Sequence, residues 1–102
     1  MPVNDLRTPD VERLLDVLVR IDDKDQLYAL LEDMFTIREI RESSQRLAVA
    51  FLLDEGKSYA RIEEATGASA TTIARVSKCL TYGAGGYRAA IDLFSDDQED
   101  AG

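Results

Sequence analysis

Apolar side chains recur at the spacing of an α-helix along nearly the whole chain, and this periodicity most limits what the chain can fold into. In the first third they repeat at i, i+3, i+4 and i+7 and so share one helix face: Val11, Leu14, Leu15, Leu18 and Ile21. Thr8-Pro9-Asp10 supplies a capping hydroxyl, a proline suited to a first turn, and a carboxylate at the positive end of the helix dipole. These residues predict a helix over 9–21.

Two further helices are predicted before residue 57. A short one follows Asp23 and carries Leu27, Leu30, Leu31 and Met34 on one face. Thr36-Ile37-Arg38-Glu39 then matches the Thr-x-x-Glu capping box, in which a hydroxyl and a carboxylate satisfy free amides at a helix start. This box opens the longest helix, which is expected to extend to Asp54 and to end at Gly56. No segment sustains the two-residue alternation of a strand, so the sequence predicts a small all-α, multi-helix domain.

The segment 58–80 has the pattern of a helix-turn-helix. Ser58 caps a short helix over 59–66, and Ser69 caps a second helix that is expected to run to Leu80. Between them, Gly67 supplies the positive φ that lets the chain reverse sharply. The motif core is predicted to consist of the turn glycine and three apolar residues spaced to pack the two helices together: Ile62, Gly67, Ile73 and Val76.

With those apolar residues inward, small and hydroxylated side chains lie on the outer face of the second helix, followed by cations. Small side chains allow close approach to base edges in the major groove of double-stranded DNA, whereas long cations suit phosphates. The residues predicted to face bases are Ser69, Ala70, Thr71 and Ala74. Those predicted to contact phosphates are Lys57, Ser58, Arg75, Lys78 and Arg88.

The charge distribution bears on this interpretation, because the chain has 12 basic and 20 acidic residues and a net charge of −8. Residues 1–56 have 7 basic and 13 acidic side chains (−6), residues 57–88 have 5 and 2 (+3), and residues 89–102 have 0 and 5 (−5). No acidic residue occurs from Ala65 to Ile91. The locally basic segment therefore coincides with the motif, which favours DNA binding over a chance fluctuation of surface charge.

Composition argues against an enzyme, a metal site and a membrane protein. Without histidine, the chain lacks the usual base near neutral pH and the commonest metal ligand, and Cys79 alone forms neither an internal disulfide nor a zinc site. We expect no catalytic residues, no metal and no cofactor. No apolar run is long enough to span a membrane and the start lacks signal-peptide features, so a cytoplasmic location is expected.

We expect one domain over 1–94 and an acidic, disordered tail over 95–102.

Three segments of the chain resemble the YerC/YecD family of tryptophan-repressor-like proteins. They are Glu55-Gly56-Lys57-Ser58-Tyr59, Thr66-Gly67-Ala68-Ser69 and the run Thr72-Ile73-Ala74-Arg75-Val76-Ser77-Lys78-Cys79-Leu80-Thr81-Tyr82-Gly83-Ala84-Gly85-Gly86-Tyr87. The similarity covers about residues 27–93. It implies an intertwined homodimer in which the first three helices of both chains build a shared core. It also implies that each subunit presents one helix-turn-helix to DNA, so that the dimer reads a palindrome-like site.

The resemblance also bears on a small-molecule effector. Arg46 and Arg75 match the two arginines that hold the corepressor in the tryptophan repressor. Val76 stands where that repressor has the glycine that leaves room for the indole, so a branched side chain is expected to fill the pocket. This argues against tryptophan as effector and leaves another small molecule open.

One alternative from a different class remains open at this stage. The net acidity, and the presence of Arg61 as the one cation in the first helix of the motif, also fit a helical protein-interaction module without specific DNA binding. The sequence does not decide the operator, the regulated genes, or repression against activation. The motif and its local charge favour a sequence-specific DNA-binding transcriptional regulator, most simply a repressor, and the resemblance implies that it acts as a homodimer.

Overall fold

The computed structural model of the chain describes residues 6–101, and the surroundings of their side chains through Ser95. Over this range the chain forms helices and no strand, so the predicted all-α class is confirmed. The helices are α1 Pro9–Arg20, α2 Lys24–Met34, α3 Ile37–Asp54, α4 Tyr59–Thr66, α5 Ala70–Tyr82 and α6 Gly86–Ala101. Within the described range, none of these helices has the length and apolar character required to cross a membrane.

The chain divides into two compact units, Met1–Ile40 and Arg41–Gly102, where the sequence predicts one domain over 1–94. In the first unit, Thr8 accepts a hydrogen bond from the Val11 amide at 3.2 Å, as expected of a helix cap. Neither α1 nor α2 buries a residue, although both have an apolar face.

The capping box that begins α3 forms as the sequence predicts. The Thr36 hydroxyl accepts from the Glu39 amide at 3.0 Å, and the Glu39 carboxylate accepts from the Thr36 amide at 2.9 Å. Two free donors at the helix start are thereby satisfied. This start fixes the register of the longest helix, whose far half provides the base of the second unit.

The second unit has an apolar core to which each of its four helices contributes. Its buried members are Val49 and Ala50 of α3, Ile62 of α4, Ala68 of the following turn, Ile73 and Val76 of α5, and Ile91 of α6. Burial of an isoleucine or valine side chain stabilises a fold by about 1.5–3 kcal/mol. This core therefore holds α4 and α5 on α3, and the three apolar residues that the sequence assigned to the motif core are all within it.

The last helix, α6, runs through Ala101. The disordered tail that composition predicts over 95–102 stays a prediction, and residue 102 lies outside the described residues. No glycine or proline occurs between Tyr87 and Ala101 to end the helix. The helix α5 likewise extends to Tyr82, two residues beyond the predicted Leu80, because Gly83 is the first residue that stops it.

Candidate nucleic-acid interface

The first helix of the motif, α4, is positioned by its cap and by one buried side chain. Ser58 has extended backbone angles, and its hydroxyl accepts from the Arg61 amide at 3.2 Å. Ile62 is fully buried against the core. The helix is only eight residues long, so its own backbone hydrogen bonds stabilise it little and packing of Ile62 maintains it.

The turn between the two helices is held by Gly67 and Thr66. Gly67 adopts a left-handed conformation with φ of 76° and ψ of 3°, and its amide donates to the Glu63 carbonyl at 2.8 Å. The Thr66 hydroxyl donates to the Ile62 carbonyl at 2.7 Å and accepts from the Ala68 amide at 3.1 Å. The sequence predicts the role of Gly67 in this turn. It does not predict the two hydrogen bonds of Thr66, because helical periodicity marks only which side chains are buried.

A side chain from α3 also reaches this turn. The amide nitrogen of Gln45 donates to the Thr66 carbonyl at 3.0 Å, across 21 positions of sequence. This carbonyl belongs to the last residue of α4, where no further helical turn supplies a donor. Sequence reasoning missed Gln45, because a contact this distant along the chain leaves no local pattern.

The second helix of the motif, α5, begins at a second serine cap. The Ser69 hydroxyl accepts from the Thr72 amide at 3.1 Å and donates to the Thr72 hydroxyl, also at 3.1 Å. Ile73 and Val76 face inward and are buried. The structure exposes all four residues for which base contact is predicted: Ser69, Ala70, Thr71 and Ala74.

The N-terminal ends of α4 and α5 have a positive potential that favours binding of an anion. Neither α4 nor α5 has an acidic residue in its first turn, so the positive end of each helix dipole is uncompensated there. Lys57, Arg75 and Lys78 are exposed around these ends and along α5. Glu63 and Glu64 of α4 are also exposed, so the basic character is concentrated on α5 and on the residues before α4.

Arg88 differs from the other cations because it is already paired with carboxylates. Its guanidinium donates to Asp54 at 2.9 Å and lies 3.7 Å from Asp92. The hydrogen bond from Arg88 to Asp54 is the main cause that raises the pKa of Arg88 above its ordinary value. To contact a phosphate, Arg88 would have to exchange the Asp54 carboxylate for it.

The structure brings together the two arginines that the resemblance assigns to an effector. Arg46 and Arg75 line a cavity of about 270 Å³, together with Val76, Cys79 and Tyr87. Cys79 follows Arg75 by one helical turn, so periodicity places both on one side of α5. Tyr87 comes from α6 and has no such signal in the sequence. Val76 is buried but does not close the cavity, which is polar on the arginine side.

A metal site is not evident in the part of the chain that the structure describes. No group of three or more histidine, cysteine, aspartate or glutamate side chains is placed to hold an ion there. Cys79 is exposed and unpaired with another cysteine. Its position in the cavity wall is accounted for by helix geometry alone.

Comparisons with known proteins place the chain in a family. The model of the Trp repressor protein family matches residues 9–94. YerC of Bacillus subtilis (strain 168), an uncharacterized protein, is 37% identical over 101 residues, which covers 99% of this chain and 97% of YerC.

Two solved structures are similar to this one throughout. A proposed Trp repressor from Staphylococcus aureus has a TM-score of 0.87 and 34% identity, over 93% of this chain and 95% of that one. A TrpR-like protein from Eubacterium eligens ATCC 27750 has a TM-score of 0.86 and 41% identity, over 90% of this chain and 95% of that one. The resemblance that the motif residues suggested is confirmed. The chain therefore belongs to the Trp repressor family, as a TrpR-like relative of YerC.

Proposed function

We propose that the protein is a homodimeric, sequence-specific DNA-binding regulator that represses transcription by occupying its operator in the cytoplasm. Membership in the Trp repressor family supports a DNA-binding helix-turn-helix regulator that is not an enzyme. The observation that carries the finer proposal is the exposed outer face of α5, which has small residues at its start, cations further along, and no acidic residue. Such a helix can enter the major groove without steric or electrostatic conflict.

In this proposal the residues at the interface divide into two roles. Contacts to base edges, which set sequence preference, are assigned to Ser69, Ala70, Thr71 and Ala74. Contacts to phosphates, which set orientation, are assigned to Lys57, Ser58, Arg75, Lys78 and Arg88. The Ser58 hydroxyl already accepts from the Arg61 amide and the Ser69 hydroxyl from the Thr72 amide, so the remaining free amides of the two helix starts can donate to phosphates.

The dimer is supported by apolar surface in the first unit. The described helices α1 and α2 bury no residue, while large apolar side chains there and at the start of α3 are more than a third exposed: Leu15, Val17, Val19, Tyr28, Met34, Phe35 and Ile37. A surface of this kind is unfavourable in water unless a partner covers it. We propose that a second copy covers this surface. For binding to successive major grooves of a palindrome-like site, the two α5 helices of the dimer would have to lie about 34 Å apart.

Selection of binding sites from random duplexes by the purified protein tests the proposal directly. We expect a symmetric site with half-sites about one helical turn apart. Failure to enrich any sequence at low salt, with the dimer intact, would instead support the protein-interaction alternative.

Alanine variants on α5 test the phosphate contacts separately. Arg75→Ala and Lys78→Ala should each weaken binding to all sequences and reduce the slope of log affinity against log salt by about 1. The matched control is Lys24→Ala, because Lys24 is an exposed cation at the start of α2. It should leave affinity and slope unchanged, and an equal loss in the control would contradict the assignment.

The cavity lined by Arg46 and Arg75 supports a second role, the binding of a small anionic effector. Its volume of about 270 Å³ is near the lower end of ligand cavities, and two guanidiniums suit a carboxylate. A panel of aromatic and aliphatic carboxylates should include one that changes DNA affinity in the wild type and not in Arg46→Ala. Tryptophan is expected to have no effect, because the branched side chain of Val76 takes up space where the tryptophan repressor has the glycine that leaves room for the indole.

A further inference from the structure

We propose that Gln45 is a positioning residue for DNA recognition, which holds the turn of the helix-turn-helix against α3. This inference rests on the proposed function. It starts from the hydrogen bond that the Gln45 side-chain amide donates to the Thr66 carbonyl at 3.0 Å. Both residues are half-buried and belong to the same compact unit.

The apolar core alone does not fix the angle at which the motif sits. Val49, Ile62 and Ile73 are fully buried and hold α3, α4 and α5 together. Burial of apolar surface is non-directional, so small rotations of one helix on another change its free energy little. A hydrogen bond depends steeply on distance and angle, so a bond between α3 and the turn restricts such rotations.

The acceptor of this hydrogen bond, Thr66, lies in the turn that sets the orientation of α5 relative to α4. Thr66 ends α4, and its hydroxyl already joins the Ile62 carbonyl to the Ala68 amide. Three residues later Ser69 caps α5, so the orientation of α5 follows from the conformation of this turn. Through Thr66, Gln45 connects the longest helix of the chain to the start of the helix proposed to read DNA.

The Gln45 amide also lies near the glycine of the turn. A Cβ built on Gly67 would lie 3.9 Å from the amide nitrogen of Gln45, at ordinary van der Waals distance. The side chain of Gln45 therefore ends next to the left-handed turn residue.

Loss of the bond is expected to lower the fraction of molecules whose α5 has the orientation for specific binding. One half-buried hydrogen bond of ordinary strength corresponds to roughly a fivefold to tenfold change in such an equilibrium. Contacts with phosphates tolerate a range of orientations, whereas base contacts do not. Specific affinity should therefore fall while non-specific affinity stays unchanged.

The test compares two variants with a control, using the full chain and the site selected by the wild type. Gln45→Leu keeps the size of the side chain but has no donor. Gln45→Asn keeps the amide but shortens its reach by about 1.5 Å, one carbon–carbon bond. Gln26→Leu makes the same change at an exposed glutamine of α2. Affinity for the selected site and for an unrelated duplex is measured at a temperature where all variants are folded.

The expected result is a loss of specific affinity of up to about tenfold for both Gln45 variants, with non-specific affinity within twofold and the control unchanged. Equal losses for the two duplexes would mean that Gln45 only stabilises the fold, and would overturn the positioning role. Unchanged specific affinity would overturn it as well. If the wild type itself selects no site, the proposed function is wrong and the inference about Gln45 is wrong with it. If the wild type selects a site but the Gln45 variants bind it as tightly, only the inference about Gln45 is wrong.

Discussion

Replacement of Gly67 by alanine should destabilise the protein through backbone strain alone. Gly67 has φ of 76°, a conformation that costs a residue with a Cβ about 1–2 kcal/mol. The added methyl would clash with nothing, because its nearest neighbour is the Gln45 amide nitrogen at 3.9 Å. Alanine also restricts the unfolded chain, which offsets about 0.4–1 kcal/mol of the strain. The free energy of unfolding should therefore fall by about 1 kcal/mol.

Urea unfolding followed by circular dichroism measures this change. For a domain of this size, a loss of about 1 kcal/mol lowers the urea midpoint by roughly 0.3–1 M. Protein concentration must be held constant, because association into the proposed dimer would add to apparent stability. Gly67→Asn should recover part of the loss, since asparagine tolerates the left-handed region better than alanine.

Two other glycines provide matched controls. Gly56 has φ of 82° and Gly86 has no positive φ, and a Cβ at either would meet nothing within 4 Å. Gly56→Ala should lose as much stability as Gly67→Ala, whereas Gly86→Ala should stay within a few tenths of a kcal/mol of the wild type. The reasoning is refuted if Gly67→Ala is as stable as the wild type, or if Gly86→Ala is equally destabilised.

Three further predictions concern the core, a helix start and an ion pair. Ile73→Ala should lower the free energy of unfolding by about 2–5 kcal/mol, because Ile73 is fully buried. The control Ile37→Ala, at a residue that is 71% exposed, should change it little, and denaturant unfolding of both variants checks this. Thr36→Ala removes the hydroxyl that accepts from the Glu39 amide and should destabilise α3 by about 1 kcal/mol, measured in the same way. The hydrogen bond from Arg7 lowers the pKa of Glu12, so the higher melting temperature of the wild type over Glu12→Gln should be present at pH 7 and should disappear as the pH falls from about 4.5 through the lowered value. A difference in melting temperature that persists unchanged to pH 2 would contradict this last expectation.

Much of the second unit could be predicted from local sequence, because local chemistry decides it. Ser58 and Ser69 can accept from amides within their own helices wherever those helices lie. The left-handed turn at Gly67 follows from the absence of a Cβ. The inward positions of Ile73 and Val76 follow from helix periodicity once the cap is known.

The features that the sequence did not reveal depend on contacts between distant segments. Gln45 meets Thr66, and Arg88 meets Asp54 across 34 positions, with no local pattern to mark either pair. For this reason the sequence does not reveal that Arg88 is paired with the Asp54 carboxylate.

The two faces of α5 have consequences for how proteins of this fold diverge. The residues that hold the helix on the core, Ile73 and Val76, are buried, whereas Ala70, Thr71 and Ala74 are exposed and pack against nothing in the core. Substitutions at the exposed positions are therefore expected to change stability by no more than about 0.5 kcal/mol. Under the proposed function, related proteins could therefore acquire a different DNA sequence preference through substitutions at these three positions while remaining folded. A library randomised at these positions would then be a practical source of regulators that do not bind one another's sites.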